Sequence, residues 1–257
     1  MIINNFDKKN SSIKNEFDNY TKKIEYNSNE LGRNFNYAIS HEIKAPIRAI
    51  DSYARIFIED YGTQIDQEGT ELVSNIRDIC KDTLTLINKL LDYIKYSNMN
   101  PVEEIINIKD MIEKAFDELV LGYSNSKKVQ LKFENDFPII RGDGILIKQV
   151  IINLISNSLK FTVNKEHAII TAGYIFENNE NIFYIKDNGA GFDMNFSENL
   201  FGMFQRMHSQ DDFEGSGVGL AIVKEIIQKF NGRVWITGEL GKGACAYFTI
   251  EHKNILK

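Results

Sequence analysis

Apolar residues recur at alternating steps of four and three along the first part of the chain, at Ile13, Phe17, Tyr20 and Ile24, then at Leu31 and Ala38 one heptad apart. This is the spacing of a coiled-coil seam. Asn27 and Asn34 fall on the seam, where an amide weakens it or fixes its register. The pattern continues through Ile39, Ile43, Ile50, Ala54, Phe57 and Tyr61, which predicts one long helix. Turn residues in YGTQIDQEG end it, and a second helix carries Leu72, Ile76, Ile79, Thr83, Leu86, Leu90 and Tyr93 on one stripe. Two such helices joined by a short loop make a hairpin. A lone hairpin exposes much of its seam, whereas two hairpins from two chains close a four-helix bundle around a shared core, so a homodimer is expected. The other possible cover for the seam is the rest of the same chain.

The polar stretch SNMNP ends in Pro101, which breaks the second helix. The expected division is a coiled-coil helix over 1–30, a helical hairpin over 31–97, a hinge over 98–103 and a second domain over 104–257. In that domain the pattern predicts a helix from about Glu104 to Tyr123, a strand in VQLKFEN and a helix from about Gly144 to Phe161. Strands follow in AIITAGYIFE and NIFYIKD, then a helix from about Gly217 to Phe230, then strands in RVWITGEL and ACAYFTIE. Asn-rich and Gly-rich turns between neighbouring strands predict hairpins, and so an α/β two-layer sandwich with helices on one face of a largely antiparallel or mixed sheet.

With 257 residues, 43% of them hydrophobic, the chain can bury real cores. A net charge of -6 argues against nucleic acid as a partner, because phosphate backbones are bound by basic surfaces. The two cysteines match no disulfide or zinc spacing, and a reducing, cytoplasmic setting fits. There is no membrane segment of about 18 uncharged apolar residues, and the polar start lacks a signal-peptide core.

Against this frame His41 is unusual. At 100° per residue it lies on the face opposite Ile39 and Ile43, with Arg48 and Arg55 at seven-residue steps behind it and Lys44 one turn away. An anion arriving there meets positive charge. Glu42 can accept a hydrogen bond from one ring nitrogen and leave the other free as a nucleophile. Pro46 removes a backbone donor just beyond.

Three stretches of the second domain offer something for such a nucleophile to attack. In DNGAGF, Asp187 can accept from an exocyclic amine, while Gly189 and Gly191 let a flat ring approach the backbone; a plain turn has the same composition. Gly215, Gly217 and Gly219 precede an amphipathic helix, where free N–H groups suit a triphosphate. Asn153, Asn157 and Lys160 share one helical face, which suits a Mg²⁺ bridged to phosphate oxygens or is simply a solvated stripe.

Together these stretches resemble the transmitter region of sensor histidine kinases, over roughly residues 30–252. SHEIKAP is similar to the phosphoacceptor motif, NLISNSLKF to the asparagine motif, DNGAGF and GSGVGLA to the two glycine motifs, and LFGMFQRMHS to the phenylalanine motif. The run from MFQRMHS to NGRVW most resembles kinases of phytochrome-like receptors. The resemblance implies a dimeric bundle followed by an ATP-binding domain of the histidine kinase, gyrase and chaperone type, with residues 1–30 a signalling helix. It implies that His41 takes a phosphoryl group from ATP, aided by Glu42, and passes it to an aspartate of a response regulator. Asn157 would ligand Mg²⁺, Asn153, Lys160 and Arg206 would contact phosphates, and Asp187 would bind the adenine amine. Phe201 and Phe204 would anchor the lid between Phe192 and Gly215.

Two positions depart from the pattern. Related kinases that double as phosphatases often carry Thr or Asn four residues after the histidine; Ala45 stands there, so weak phosphatase activity is expected. Ser158 replaces a common Ala. A rival class, the ATP-hydrolysing clamps of the gyrase and chaperone type, uses a glutamate one turn before the Mg²⁺ asparagine, where this chain has Asn153. A second rival is a non-catalytic phosphotransfer scaffold, which has little need of the nucleotide motifs.

Overall fold

The computed structural model describes residues 32–123, 128–195, 200–205, 215–251 and 254–256, with side chains from residue 42 to residue 255. The expected coiled coil over 1–30 lies outside the described residues. The chain divides into two compact bodies, Met1–Lys81 and Asp82–Lys257.

The first body holds helix α1 (Gly32–Tyr61) and the beginning of helix α2 (Gln67–Asn98). Pro46 lies inside α1. The turn between them closes where Asp66 accepts from the Gly69 N–H at 2.8 Å, a side-chain cap on an otherwise unpaired donor of α2. Arg77 of α2 donates to Asp51 of α1 at 3.0 Å, tying the two helices together. Much of the predicted seam is uncovered in the single chain: Ile50 is 51% exposed and Leu72 52%, with Ile43, Phe57, Tyr61 and Ile79 also exposed. Cys80 is buried, and burial pushes its thiol up.

The second body begins with the last turns of α2, followed by β1 (Glu104–Asn107), α3 (Ile108–Val120), β2 (Val129–Glu134), β3 (Ile139–Gly142) and α4 (Gly144–Phe161). Next come β4 (Ala168–Glu177), β5 (Glu180–Asp187), α5 (Gly219–Lys229), β6 (Val234–Glu239), β7 (Gly243–Ile250) and β8 (Ile255–Leu256). The main sheet runs β2-β4-β5-β7-β6, with β2 parallel to β4 and every other pair antiparallel. A small sheet runs β1-β3-β8. The helix expected from Glu104 starts four residues later, because Glu104–Asn107 pair with Ile139–Gly142. Asn107 then caps α3 by accepting from the Asp110 N–H.

Core packing follows the predicted faces. Ile147, Val150, Ile151 and Ile155 of α4 are fully buried, as are Ile222, Ile226 and Ile227 of α5. They meet Phe183, Ile185 and Phe248 from the middle of the sheet in one core, with Ile112 and Phe116 of α3. The β4–β5 hairpin turns at Asn178 and Asn179, both at positive φ (51° and 63°), the backbone that a two-residue turn matched to strand twist requires. On α2, Tyr96 is buried; its hydroxyl donates to Gln149 of α4 at 2.9 Å. Tyr93 donates to Glu225 of α5 at 3.3 Å, and Lys229 donates to the Ser97 carbonyl at 2.7 Å. The end of α2 is thereby part of the second body's framework. Among the described residues no helix is long and apolar enough to cross a membrane.

Candidate nucleotide site

A cavity of about 430 Å³ opens in the second body between α4, the glycine-rich stretch before α5, and the ends of β5, β6 and β7. This is the size range of sites for cofactor-sized ligands. Ile185, Ile236 and Ala246 supply apolar wall, and Phe192 and Leu200 lie at its margin.

One polar group stands at the apolar end. Asp187, the last residue of β5, is only 6% exposed. Its Oδ1 accepts from the Gly189 N–H at 2.8 Å and the Ala244 N–H at 3.2 Å, and the Ser158 hydroxyl also bonds to the carboxylate. Burial pushes the carboxyl above its ordinary range, and these donors, with the charge of Lys165, pull in the opposite direction. Residue 189 must be glycine: a Cβ there would lie 2.5 Å from the Phe161 carbonyl. Asn188 braces the turn, accepting from the Ile169 N–H and donating to the His167 carbonyl, each at 2.9 Å. A carboxylate at the end of an apolar slot can accept from the amine of a flat ring.

The other end is polar along α4, which starts where Asp143 accepts from the Leu146 N–H at 3.0 Å. Asn153 is buried and donates to the Gln149 carbonyl at 3.0 Å, which leaves its amide oxygen facing Gly219; a Cβ there would come within 3.2 Å of it. Asn157, half-buried, lines the cavity one turn on. The Lys160 ammonium lies 4.1 Å from the Phe161 ring centre, and a Cβ on Gly215 would sit 2.9 Å from it. Gly217 takes φ +70°, and its carbonyl accepts from the Phe204 N–H at 3.0 Å. That bond holds the glycine stretch against residues 204 and 205. No side chain caps the start of α5, so its first N–H groups are left for an anion.

The expected residues Asn153, Asn157, Lys160, Asp187, Gly191, Gly215, Gly217 and Gly219 thus line one cavity. Gly189 supports Asp187 from behind. Phe201 and Phe204 are half-buried, and Phe204 packs on the core. Glu42 is exposed on α1 in the first body. Arg206 and the His41 side chain lie outside the described residues. Thr85 and Lys89 of α2 and Ala244 also line the cavity, and no local motif in the sequence marks them. Ser158, which stands where Ala is common, also lines the cavity.

Two family models match the chain. Residues 32–98 match the His Kinase A (phospho-acceptor) domain, and residues 142–254 match the histidine kinase-, DNA gyrase B- and HSP90-like ATPase family. The chain carries the transmitter region of a sensor histidine kinase. This transmitter is 30% identical over 233 residues to cyanobacterial phytochrome B of a Nostoc species, an alignment covering 89% of the chain and 30% of the relative. It is also 30% identical over 241 residues to the methanogenesis regulatory histidine kinase FilI of Methanothrix harundinacea, covering 92% of the chain and 26% of that protein. The chain therefore spans less than a third of either relative. Among solved structures it is similar to full-length ShkA in complex with AMPPNP, with a TM-score of 0.60 and 22% identity over 84% of this chain and 45% of that one. The Acinetobacter baumannii histidine kinase AdeS gives a TM-score of 0.53 at 19% identity, over 83% of this chain and 98% of that one.

Proposed function

We propose that this transmitter is an ATP-dependent protein-histidine kinase that phosphorylates His41 and passes the phosphoryl group to an aspartate in a response regulator receiver domain. The observation that carries the reading is the cavity itself. A buried carboxylate closes its apolar end, and an Asn–Asn–Lys stripe meets an uncapped helix start at the other, in a chain that also bears SHEIKAP on a helix.

In this reading Asp187 accepts from the adenine amine, and Asn153, Lys160 and the N–H groups of Gly215, Gly217 and Gly219 meet phosphate oxygens. Arg206 would add a further phosphate contact. Among the described residues no cluster of three or more acidic, His or Cys side chains could hold a metal. That suits Mg²⁺, which keeps most of its waters and is shared with phosphates, with Asn157 as its protein ligand. Bound there, Mg²⁺ would neutralise charge building on the phosphate oxygens. The chain's own part is mainly positioning, since phosphoryl transfer passes through a loose transition state. A ring nitrogen of His41 forms a bond to the γ-phosphorus as the bond to the β–γ bridging oxygen breaks, releasing ADP. Glu42 orients the imidazole and helps carry away its proton. The phosphohistidine then yields its phosphoryl group to the regulator's carboxylate, restoring neutral His41.

The uncovered apolar stripe of α1 and α2 supports a homodimer, because that much exposed seam is best buried against a second hairpin. The clamp-ATPase alternative needs a base at position 153. The Asn153 amide is already donating to Gln149 and can accept no proton from water.

Incubation with γ-labelled ATP and Mg²⁺ is expected to give an acid-labile, base-stable label. An acid-stable label, or none, would overturn the assignment. Ala45 is exposed on α1 one turn past His41 and offers no group to hold a water, so dephosphorylation of the phosphorylated regulator should be slow. Ala45→Thr is expected to speed it by about a hundredfold, the lower end of what a positioned proton-transfer group contributes. The release of inorganic phosphate from labelled regulator measures it; fast release by the parent chain would refute the expectation.

A further inference from the structure

The nucleotide cavity has a wall that its motifs do not supply. Thr85 and Lys89, one turn apart on α2, line it together with the α4 stripe and the glycine stretch. Three contacts fix how α2 runs across the domain: Tyr96 meets Gln149, Tyr93 meets Glu225, and the Ser97 carbonyl meets Lys229. Going back along α2 from these contacts therefore moves toward the C-terminal half of α4 and the N-terminus of α5. At 1.5 Å per residue, Lys89 lies about 10 Å back from Tyr96, while Asn157 lies about 12 Å beyond Gln149. Gly219 likewise lies about 9 Å back from Glu225, and Lys89 about 6 Å back from Tyr93. Both paths bring Lys89 to the polar end of the cavity, away from Asp187.

Lys89 is half-buried, and no carboxylate among the described residues pairs with it. An ammonium that no carboxylate neutralises, lining a cavity beside an uncapped helix start, is without a counter-charge until an anion enters. We infer that Lys89 is a phosphate-binding residue contributed by the hairpin's second helix, so that the nucleotide's phosphates bridge α2 to the walls formed by α4 and α5. The inference rests on the cavity being the ATP site and adds a consequence for regulation. Nucleotide would hold the end of α2 on the domain, and a displacement of α2 would weaken nucleotide by the same factor, since linkage between two equilibria is reciprocal.

The test compares the whole chain with its Lys89→Ala, Lys89→Glu and Lys89→Arg variants by calorimetric titration with ATP, ADP and adenosine. A charge-assisted contact at a partly exposed site predicts ATP and ADP binding weakened about three- to tenfold in Lys89→Ala. Lys89→Glu should lose more, and Lys89→Arg should stay within about twofold of the parent. Adenosine, which has no phosphates, should bind all four chains alike. Hydrogen exchange gives a second readout: ATP should slow the amides of residues 85–98 more than adenosine does in the parent, and not in Lys89→Ala. Unchanged ATP affinity in Lys89→Ala, or an equal loss for adenosine, would overturn the inference while leaving the ATP site standing. If the parent itself bound neither ATP nor adenosine, the site assignment would fall and this inference with it.

Discussion

A His41→Gln chain is expected to bind ATP as tightly as the parent and to take up no acid-labile phosphate. Glutamine keeps a polar side chain of similar reach, but its amide nitrogen carries no lone pair able to attack phosphorus. The loss should therefore be complete, with no label detectable on the variant under conditions that label the parent. Nucleotide affinity should stay within about twofold, because every residue lining the cavity lies between Thr85 and Ala246, far along the chain from position 41. Calorimetry and autoradiography on the same preparation separate the two outcomes. Label persisting on the variant would show that some other side chain accepts the phosphoryl group.

Asp187→Ala should damage the opposite step. It removes the one buried carboxylate at the apolar end of the cavity, and with it a charge-assisted hydrogen bond worth about 1.5 to 3 kcal/mol, so ATP should bind roughly ten- to a hundredfold more weakly. The Gly189 and Ala244 N–H groups would lose their acceptor in the same stroke, so a reduced melting temperature should accompany the loss. The pH dependence follows from the same environment. Burial holds this carboxyl above the ordinary aspartate range, so on acidification it takes up its proton sooner than an exposed carboxylate would. The protonated form accepts less well, and ATP affinity should fall as pH drops through the weakly acidic range. For folding the sign is reversed. A group raised in the native state contributes stability that is complete below its unfolded value and is lost as pH rises through the folded one. ATP titrations at several pH values, with a chain altered at Asp187 as the flat control, check the binding half of this.

Why so much of the site was legible in the sequence can be seen at α4. Its buried positions, Ile147, Val150, Ile151, Leu154 and Ile155, fix one face of the helix, and the remaining stripe then has to carry Asn153, Asn157 and Lys160. Helical periodicity alone places these three together. The strand-to-turn position of Asp187 and the glycines before α5 were readable for the same local reason. What escaped notice depends on distant pairing. Ile105 and Ile106 suit a strand as well as a helix, and pairing with Ile139–Gly142 decides between them, while β8 exists only through its two partners on β3. Lys89 looks like any lysine of an amphipathic helix, because only the docking of Tyr93 and Tyr96 turns that face toward the cavity. Ser158 shows how thin the local signal can be: a single oxygen added to an alanine-sized side chain reaches the Asp187 carboxylate from another element.

Cys80 and Cys245 are both buried and unpaired, one in each body, and burial pushes the Cys245 thiol up to about 11. At neutral pH almost none of that sulfur is thiolate, the form that reacts with alkylating reagents. The molecule therefore carries a dormant chemical clock in each half, started only when the surrounding structure opens, so the moments at which hairpin and sheet come apart can be timed separately in one untagged chain.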